Sequence, residues 1–163
     1  MTITVHDLRE TPWETVGPWL DRIAANMRKQ DVEEVRASSA IPIHDILPRS
    51  VSISSHGWVI TSDKTGEPIA VFGAAPLALP RMGAAWMLGT DGIEDEALSI
   101  ARHSRRYMDE MQADYDLLWN YIDARNEVSM RWLKWIGFRL VSLHPFHGRE
   151  RRAFYTFARS IHV

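Results

Sequence analysis

Apolar residues recur along the chain in two periods, and each change of period marks a new element. Ile3 and Val5 alternate with polar neighbours and predict a short opening strand. Thr11 followed by Pro12 predicts a helix start, with a hydroxyl cap, proline at the first helical position and Glu14 against the dipole. Val16, Trp19, Leu20 and Ile23 then fall at helical spacing and carry this helix to about Met27. "QDVEEVRASS" predicts a second helix capped by Asp31, whereas "DILPRSVSIS" is left open because Pro48 splits it.

From Gly57 the period falls to two. "GWVIT" and "IAVFGAA", joined by a polar loop carrying Gly66, predict a hairpin, and Gly83–Thr90 predicts a further strand bounded by glycines. "GIEDEALSIARHSRRYMDEMQ" places Ala97, Ala101, Ser104, Met108 and Met111 on one face of a long helix, acids first and arginines later. "DLLWNYID" predicts a buried strand, "NEVSMRWLKWIGF" a helix, and "FRLVSLHPF" with "RRAFYTFAR" a closing strand pair through "HGRE". The expected order is β, α, α, β, β, β, α, β, α, β, β. Strand–helix–strand near the end implies a parallel neighbour pair and the hairpins are antiparallel, so the expectation is a single α+β domain over residues 1–163, a mixed central sheet flanked by helices.

The totals narrow the function classes. At 163 residues the chain suits one core, and 45% hydrophobic with 25% charged residues is an ordinary globular composition. A net charge of −2 supplies no global field toward nucleic acid or anionic lipid. The absence of cysteine excludes disulfides, thiolate zinc sites and a cysteine nucleophile. No basic segment followed by an apolar run opens the chain, so no secretory signal is expected. Ile69–Leu79, interrupted by Pro76, is about half the roughly 20 residues of a membrane span, so a soluble protein is expected. Seven tryptophans promise a core built on large rings.

The helix Asn126–Phe138 carries the most information. Asn126 suits the N-cap, Gly137 a left-handed C-terminal position, and Phe138 a fold back onto a face made by Val128, Trp132, Trp135 and Ile136. This Asn-to-Gly-Phe spacing after the strand "LLWNYIDARN" resembles the last helix of the GNAT N-acetyltransferase superfamily, as does the element order. More narrowly, Trp86 to Phe138 resembles small GNAT-like or internal virion proteins of short-tailed bacteriophages.

The resemblance implies a GNAT-like fold and three catalytic parts. These are a Gly-rich turn whose amides bind the pyrophosphate of acetyl-CoA, a base (often Glu) on the preceding strand, and a tyrosine in the last helix that protonates the thiolate. Here the turn reads "DGIEDEALSIAR", without the Arg or Gln and second glycine of the family pattern. Asp91, Glu94, Asp95 and Glu96 crowd the helix start. The dipole favours an anion there by about 0.3–1 kcal/mol. Several carboxylates satisfy that preference internally and each repels a pyrophosphate by about 1 kcal/mol or less. No acid lies between Gly83 and Thr90, and Leu133 stands where the family carries its tyrosine.

Two functions follow. The first is a phage accessory or internal virion protein with a degenerate acetyl-CoA site. It would act through contacts with phage virion or host proteins, in the virion interior or host cytoplasm. The second is an acetyl-CoA-dependent N-acetyltransferase modifying a protein lysine or a small amine. In that case Asp91 is the candidate base and Tyr121 the candidate acid, while Asn126 and the backbone of Met87, Leu88 and Gly89 would hold the pantetheine arm. Tyr107 and Tyr115 are expected to pack. His144 and His147 of "HPFH" are expected as solvated turn residues and no metal site is expected; Arg102, Arg105 and Arg106 read as an outer helix face. The rings in "GRERRAFYTFAR" favour core over a nucleic-acid surface, and a homo-oligomer stays open.

Overall fold

Strand pairing begins at the amino end and runs almost in chain order. The computed structural model describes residues 2–161. Strands β1 (Ile3–Asp7), β2 (His56–Ser62), β3 (Pro68–Pro76), β4 (Met82–Gly89), β5 (Leu117–Asp123), β6 (Arg139–His147) and β7 (Arg152–Ser160) form one sheet. Its order is β1-β2-β3-β4-β5-β7-β6, antiparallel everywhere except β4–β5. That one parallel pair is joined by the long helix α5 (Ala97–Gln112), as a parallel crossover requires. The fold class expected from the pattern is the one found.

Each face of the sheet carries its own apolar layer. Trp58, Ile60, Phe72, Leu118, Ile122 and Phe157 pack against Ile100, Met108 and Met111 of α5 and Leu133 and Ile136 of α6 (Glu127–Trp135). On the other face Val59, Val71 and Leu88 meet Val16, Leu20 and Ile23 of α1 (Trp13–Ala25), Val35 of α2 (Lys29–Ser38) and Leu47 of α3 (Ile43–Ile53). β2 is buried at every position because both its faces are covered, which explains its unbroken apolar run.

Several expectations change in detail. The unresolved segment around Pro48 is the helix α3, which accommodates Pro48 inside it as α1 does Pro18. α1 starts one residue later than predicted: Pro12 takes the cap position and the Thr11 hydroxyl donates to Asp7 O at 2.7 Å instead of capping. α2 begins at Lys29, so Asp31 lies in its first turn and is not its cap. The long helix is broken at Glu96, with the single turn α4 (Gly92–Asp95) before α5. Its inward face holds Ile100, Ser104, Met108 and Met111, whereas Ala97 is exposed.

The carboxyl end of α6 follows the predicted geometry. Asn126 Oδ1 accepts from Ser129 N, Gly137 has φ +97°, and Phe138 N donates to Leu133 O at 2.9 Å. The buried face is rotated, however: Leu133 and Ile136 point inward and Trp135 is 66% exposed. The tryptophans do not build a common core either. Trp58 is fully buried, Trp13 and Trp135 are exposed, and the other four lie between. Phe154 and Phe157 are buried, as the core interpretation of the terminal strand required. Among the described residues no helix is long and apolar enough to cross a membrane.

Candidate functional site

The parallel pair separates early. β4 and β5 share the rungs Met82–Leu117, Gly83–Leu118 and Ala84–Trp119, after which β4 continues to Gly89 and β5 to Asp123 without pairing. Thr90 N donates to Ile69 O of β3 at 2.8 Å, which fixes the phase of β4: Ala85, Met87 and Gly89 direct their backbone groups toward β5. At the apex Asn120 Nδ2 donates to Ala85 O at 2.8 Å. At the mouth the α1–α2 connector adds to the end of β4. Arg28 N donates to Gly89 O at 2.8 Å, and Gly89 N donates to Asp31 Oδ2 at 2.9 Å. Between these two closures the amide and carbonyl of Met87 face a cleft with no strand beside them.

The cleft has a volume of about 300 Å³ and a mainly apolar wall, including Leu88, Ile93, Ile100, Val128, Trp132 and Leu133. A small set of polar groups enters it, the composition of a site that orients a ligand. Arg28 is 4% exposed, holds Asp31 through Nε and Nη2 at 2.9 and 2.6 Å, and reaches Ser129 Oγ of α6 at 3.0 Å. Glu34 of α2 accepts at Oε2 from Asp123 N at 3.1 Å and from Asn126 Nδ2 at 3.2 Å. Burial, reinforced by the charges of Asp31 and Asp123, pushes the Glu34 carboxyl up to about 8. Burial also acts to raise Asp123, but the hydrogen bonds of Arg125 outweigh it and hold that carboxyl below its ordinary range. The Trp119 indole N–H, in the cleft wall at the last paired rung, is the one sealed side-chain polar atom without a partner among the described residues.

The residues singled out in the sequence divide into three groups. Met87, Leu88 and Tyr121 line the cleft, with Tyr121 45% exposed and its ring stacked between those of Trp119 and His147. Gly89 and Asn126 lie at its edge with their groups engaged internally: Gly89 by Arg28 and Asp31, Asn126 by Ser129 N and Glu34. Asp91 is exposed at the start of α4 and is not part of the wall. His144 bonds Ser142 and Thr156 and packs against His147, so the pair sits on β6 rather than in a solvated turn. Among the described residues no group of His, Asp or Glu could hold a metal ion.

The turn before α5 engages four of its amides internally. Gly92 N donates to Thr90 Oγ1, Ile93 N to Thr90 O, Glu94 N to Asp91 O and Glu96 N to Gly92 O. Asp91, Glu94 and Asp95 are exposed there, while Glu96 turns inward and meets Lys64 Nζ at 3.3 Å. A hydrogen bond from Thr2, with those of Lys64 and Ser62, holds the Glu96 carboxyl below its ordinary range.

Solved structures share this architecture. The chain superposes over 98% of its length on the ribosomal-protein-S18-alanine N-acetyltransferase of Escherichia coli, covering 94% of that chain at 13% identity and a TM-score of 0.65. It matches the ribosomal-protein-S5-alanine acetyltransferase of Vibrio fischeri at 10% identity, with 98% and 93% of the chains covered and a TM-score of 0.67. The fold is that of the GNAT N-acetyltransferases. A spermidine N-acetyltransferase of Vibrio cholerae, solved with CoA and spermine, matches at 10% identity over 98% and 95% of the chains, with a TM-score of 0.64. No protein-family model matches the chain, and no curated protein matches it in sequence. At these identities the likeness extends to the GNAT fold and not to a substrate.

The sequence pattern alone does not mark Glu34, Arg28, Asp31 or Trp119 as site residues. The bonds of Glu34 to Asp123 and Asn126 span 89 and 92 residues, so no local spacing could announce them.

Proposed function

We propose that this chain is an acyl-CoA-dependent N-acyltransferase, with acetyl-CoA as the donor and a primary amine as the acceptor. The observation that supports this most is the separation of β4 from β5 after Ala84–Trp119, which leaves a narrow apolar cleft beside the Met87 backbone. An extended amide-bearing chain is complementary to such a place, because it can complete the hydrogen bonding that the absent strand leaves open. The pantetheine arm of acetyl-CoA has that form, and the structures sharing the fold that are N-acetyltransferases point the same way.

The fit is divided between the two ends of the donor. The arm suits the cleft, with the backbone of Met87 and the apolar side chains of Leu88, Ile93 and Leu133 beside it. The diphosphate suits the turn before α5 poorly, because its Gly92, Ile93, Glu94 and Glu96 amides are engaged internally and its surface carries Asp91, Glu94 and Asp95. When bound, acetyl-CoA supplies an activated acyl carbon. This chain's residues exclude water through the apolar wall and hold the arm at Met87; the Tyr121 hydroxyl at the open side supplies a proton to the leaving sulfur. Asn126 supports Glu34 and the start of α6, and Asp91 has no part in the chemistry.

A second function, the accessory or internal virion protein acting by protein contacts, is favoured by the acidic turn with its internally bonded amides and by Leu133 at the family's tyrosine position. Calorimetry with acetyl-CoA up to millimolar concentration, followed by thiol release with polyamines, lysine peptides and alanine-terminated peptides, separates the two. Binding with thiol release on adding one acceptor class supports the enzyme. Absence of heat, of thermal shift and of thiol release supports the scaffold.

A further inference from the structure

We infer that Glu34 is the general base that removes the proton from the acceptor amine, so that α2 supplies the function absent from β4. The inference rests on the acyltransferase function proposed above and assigns a catalytic residue within it. β4 carries no acidic residue, and Glu34 is the one carboxylate in the wall of the cleft.

Its surroundings distinguish it from the other two acids nearby. Asp31 is held by Arg28 through two bonds of 2.6 and 2.9 Å, and Asp123 by Arg125 through two bonds of 2.6 and 2.9 Å. Among the described residues Glu34 has no cationic partner. One oxygen, Oε2, is fixed by the Asp123 amide and the Asn126 side chain. The other, Oε1, makes no hydrogen bond and is not sealed from solvent among the described residues, so it is the atom open to the cleft. A carboxyl oriented through one oxygen and free at the other has the geometry a proton acceptor needs.

The groups facing Glu34 are Asp31 and Arg28 from the α1–α2 segment and Asp123, Arg125 and Asn126 from the end of β5 and the start of α6, with Glu33 beside Arg125 at 3.9 Å. Burial first, and then the charges of Asp31 and Asp123, increase the proton affinity of Glu34, which brings a carboxylate closer to the basicity of an amine.

The step balances. An ammonium N–H proton passes to Glu34 Oε1, and the freed nitrogen lone pair forms a C–N bond with the thioester carbonyl carbon. The C–S bond then breaks: the sulfur leaves with the bonding pair and takes the Tyr121 hydroxyl proton, and the acylated nitrogen gives up its second proton to restore that hydroxyl, leaving a neutral amide. Glu34 returns its own proton to solvent.

Glu34→Gln in the full chain tests this, since the amide keeps the acceptor oxygen for Asp123 N and Asn126 Nδ2. With an acceptor that the wild type turns over, kcat is expected to fall about 10²- to 10⁴-fold, the range of a general base. The limb of the wild-type kcat/KM profile that rises with pH toward 8 is expected to vanish, while acetyl-CoA affinity by calorimetry stays within twofold. A weakly basic aromatic amine, already neutral at assay pH, is expected to narrow the deficit, which a merely structural defect would not do. Wild-type turnover in Glu34→Gln, or a retained limb, overturns the assignment while leaving acyl transfer intact. Absence of both turnover and acetyl-CoA binding in the wild type removes the function itself.

Discussion

Replacing Glu34 with glutamine is expected to change the pH dependence of stability as well as catalysis, and the sign can be worked out independently of any substrate. In the unfolded chain the carboxyl titrates near 4.5, and in the folded protein burial with Asp31 and Asp123 raises it to about 8. Between those values the folded state binds more protons than the unfolded state. Stability therefore falls as pH rises from about 4.5 to about 8, by up to ~1.4 kcal/mol per unit, and levels off above. Glutamine has no such titration and keeps both hydrogen bonds at its oxygen. The variant is therefore expected to match the wild type near pH 5 and exceed it by about 3–5 kcal/mol at pH 8. Urea unfolding at pH 5, 6, 7 and 8, followed by tryptophan fluorescence, measures the gap. A gap that widens with pH agrees with a carboxyl that keeps its proton on folding. Parallel curves, or a variant less stable at every pH, would refute it.

Three other expectations follow from the same contacts. Asp31→Ala strands the Arg28 guanidinium at 4% exposure and frees the Gly89 amide, so a loss of about 3–5 kcal/mol is expected in chemical denaturation; a loss below 1 kcal/mol would show that the clasp is loose in solution. Gly137→Val places a β-branched residue at φ +97° with its Cβ 3.2 Å from Arg159 Nε, and is expected to lower stability by about 1–3 kcal/mol; an unchanged melting temperature would contradict this helix end. S-acetylpantetheine, which lacks the diphosphate, is expected to compete within about tenfold of acetyl-CoA because four amides of the turn before α5 are engaged internally and its surface is acidic, and a gap of a thousandfold would mean the turn does hold the diphosphate.

The fold could be read from the chain because its determinants are local. Period-two and helical runs, the hairpin at Gly66 and the Asn126–Gly137–Phe138 helix each depend on neighbours within a few residues, and each recurs in the structure. The segment around Pro48 resisted because a proline inside a helix costs local propensity that packing of Leu47 against α1 and β3 offsets. The inward face of α5 holds the expected Ser104, Met108 and Met111 and gains Ile100, whereas α6 keeps Ile136 inward but turns Leu133 in and Trp135 out, a choice that depends on the cleft Leu133 lines.

The site divides in the same way. Met87, Leu88 and Tyr121 were visible because they lie on strands whose phase the pattern sets. Glu34 was not, because its chemistry comes from Asp123 and Asn126 across the sheet, and in the sequence it is one acid among the polar residues of an ordinary amphipathic helix. The acidic turn could be read from its charges, but the internal bonds of the Gly92, Ile93, Glu94 and Glu96 amides could not, because they depend on the backbone conformation.

The separation of β4 from β5 carries the functional claim, and a crystal structure grown with acetyl-CoA addresses it most directly. The pantetheine arm is expected between the two strands, hydrogen-bonded to the Met87 backbone, with the acetyl group on the side of Glu34 and Tyr121. Coenzyme density lying elsewhere on the molecule, or a cleft unchanged at saturating ligand, would contradict it.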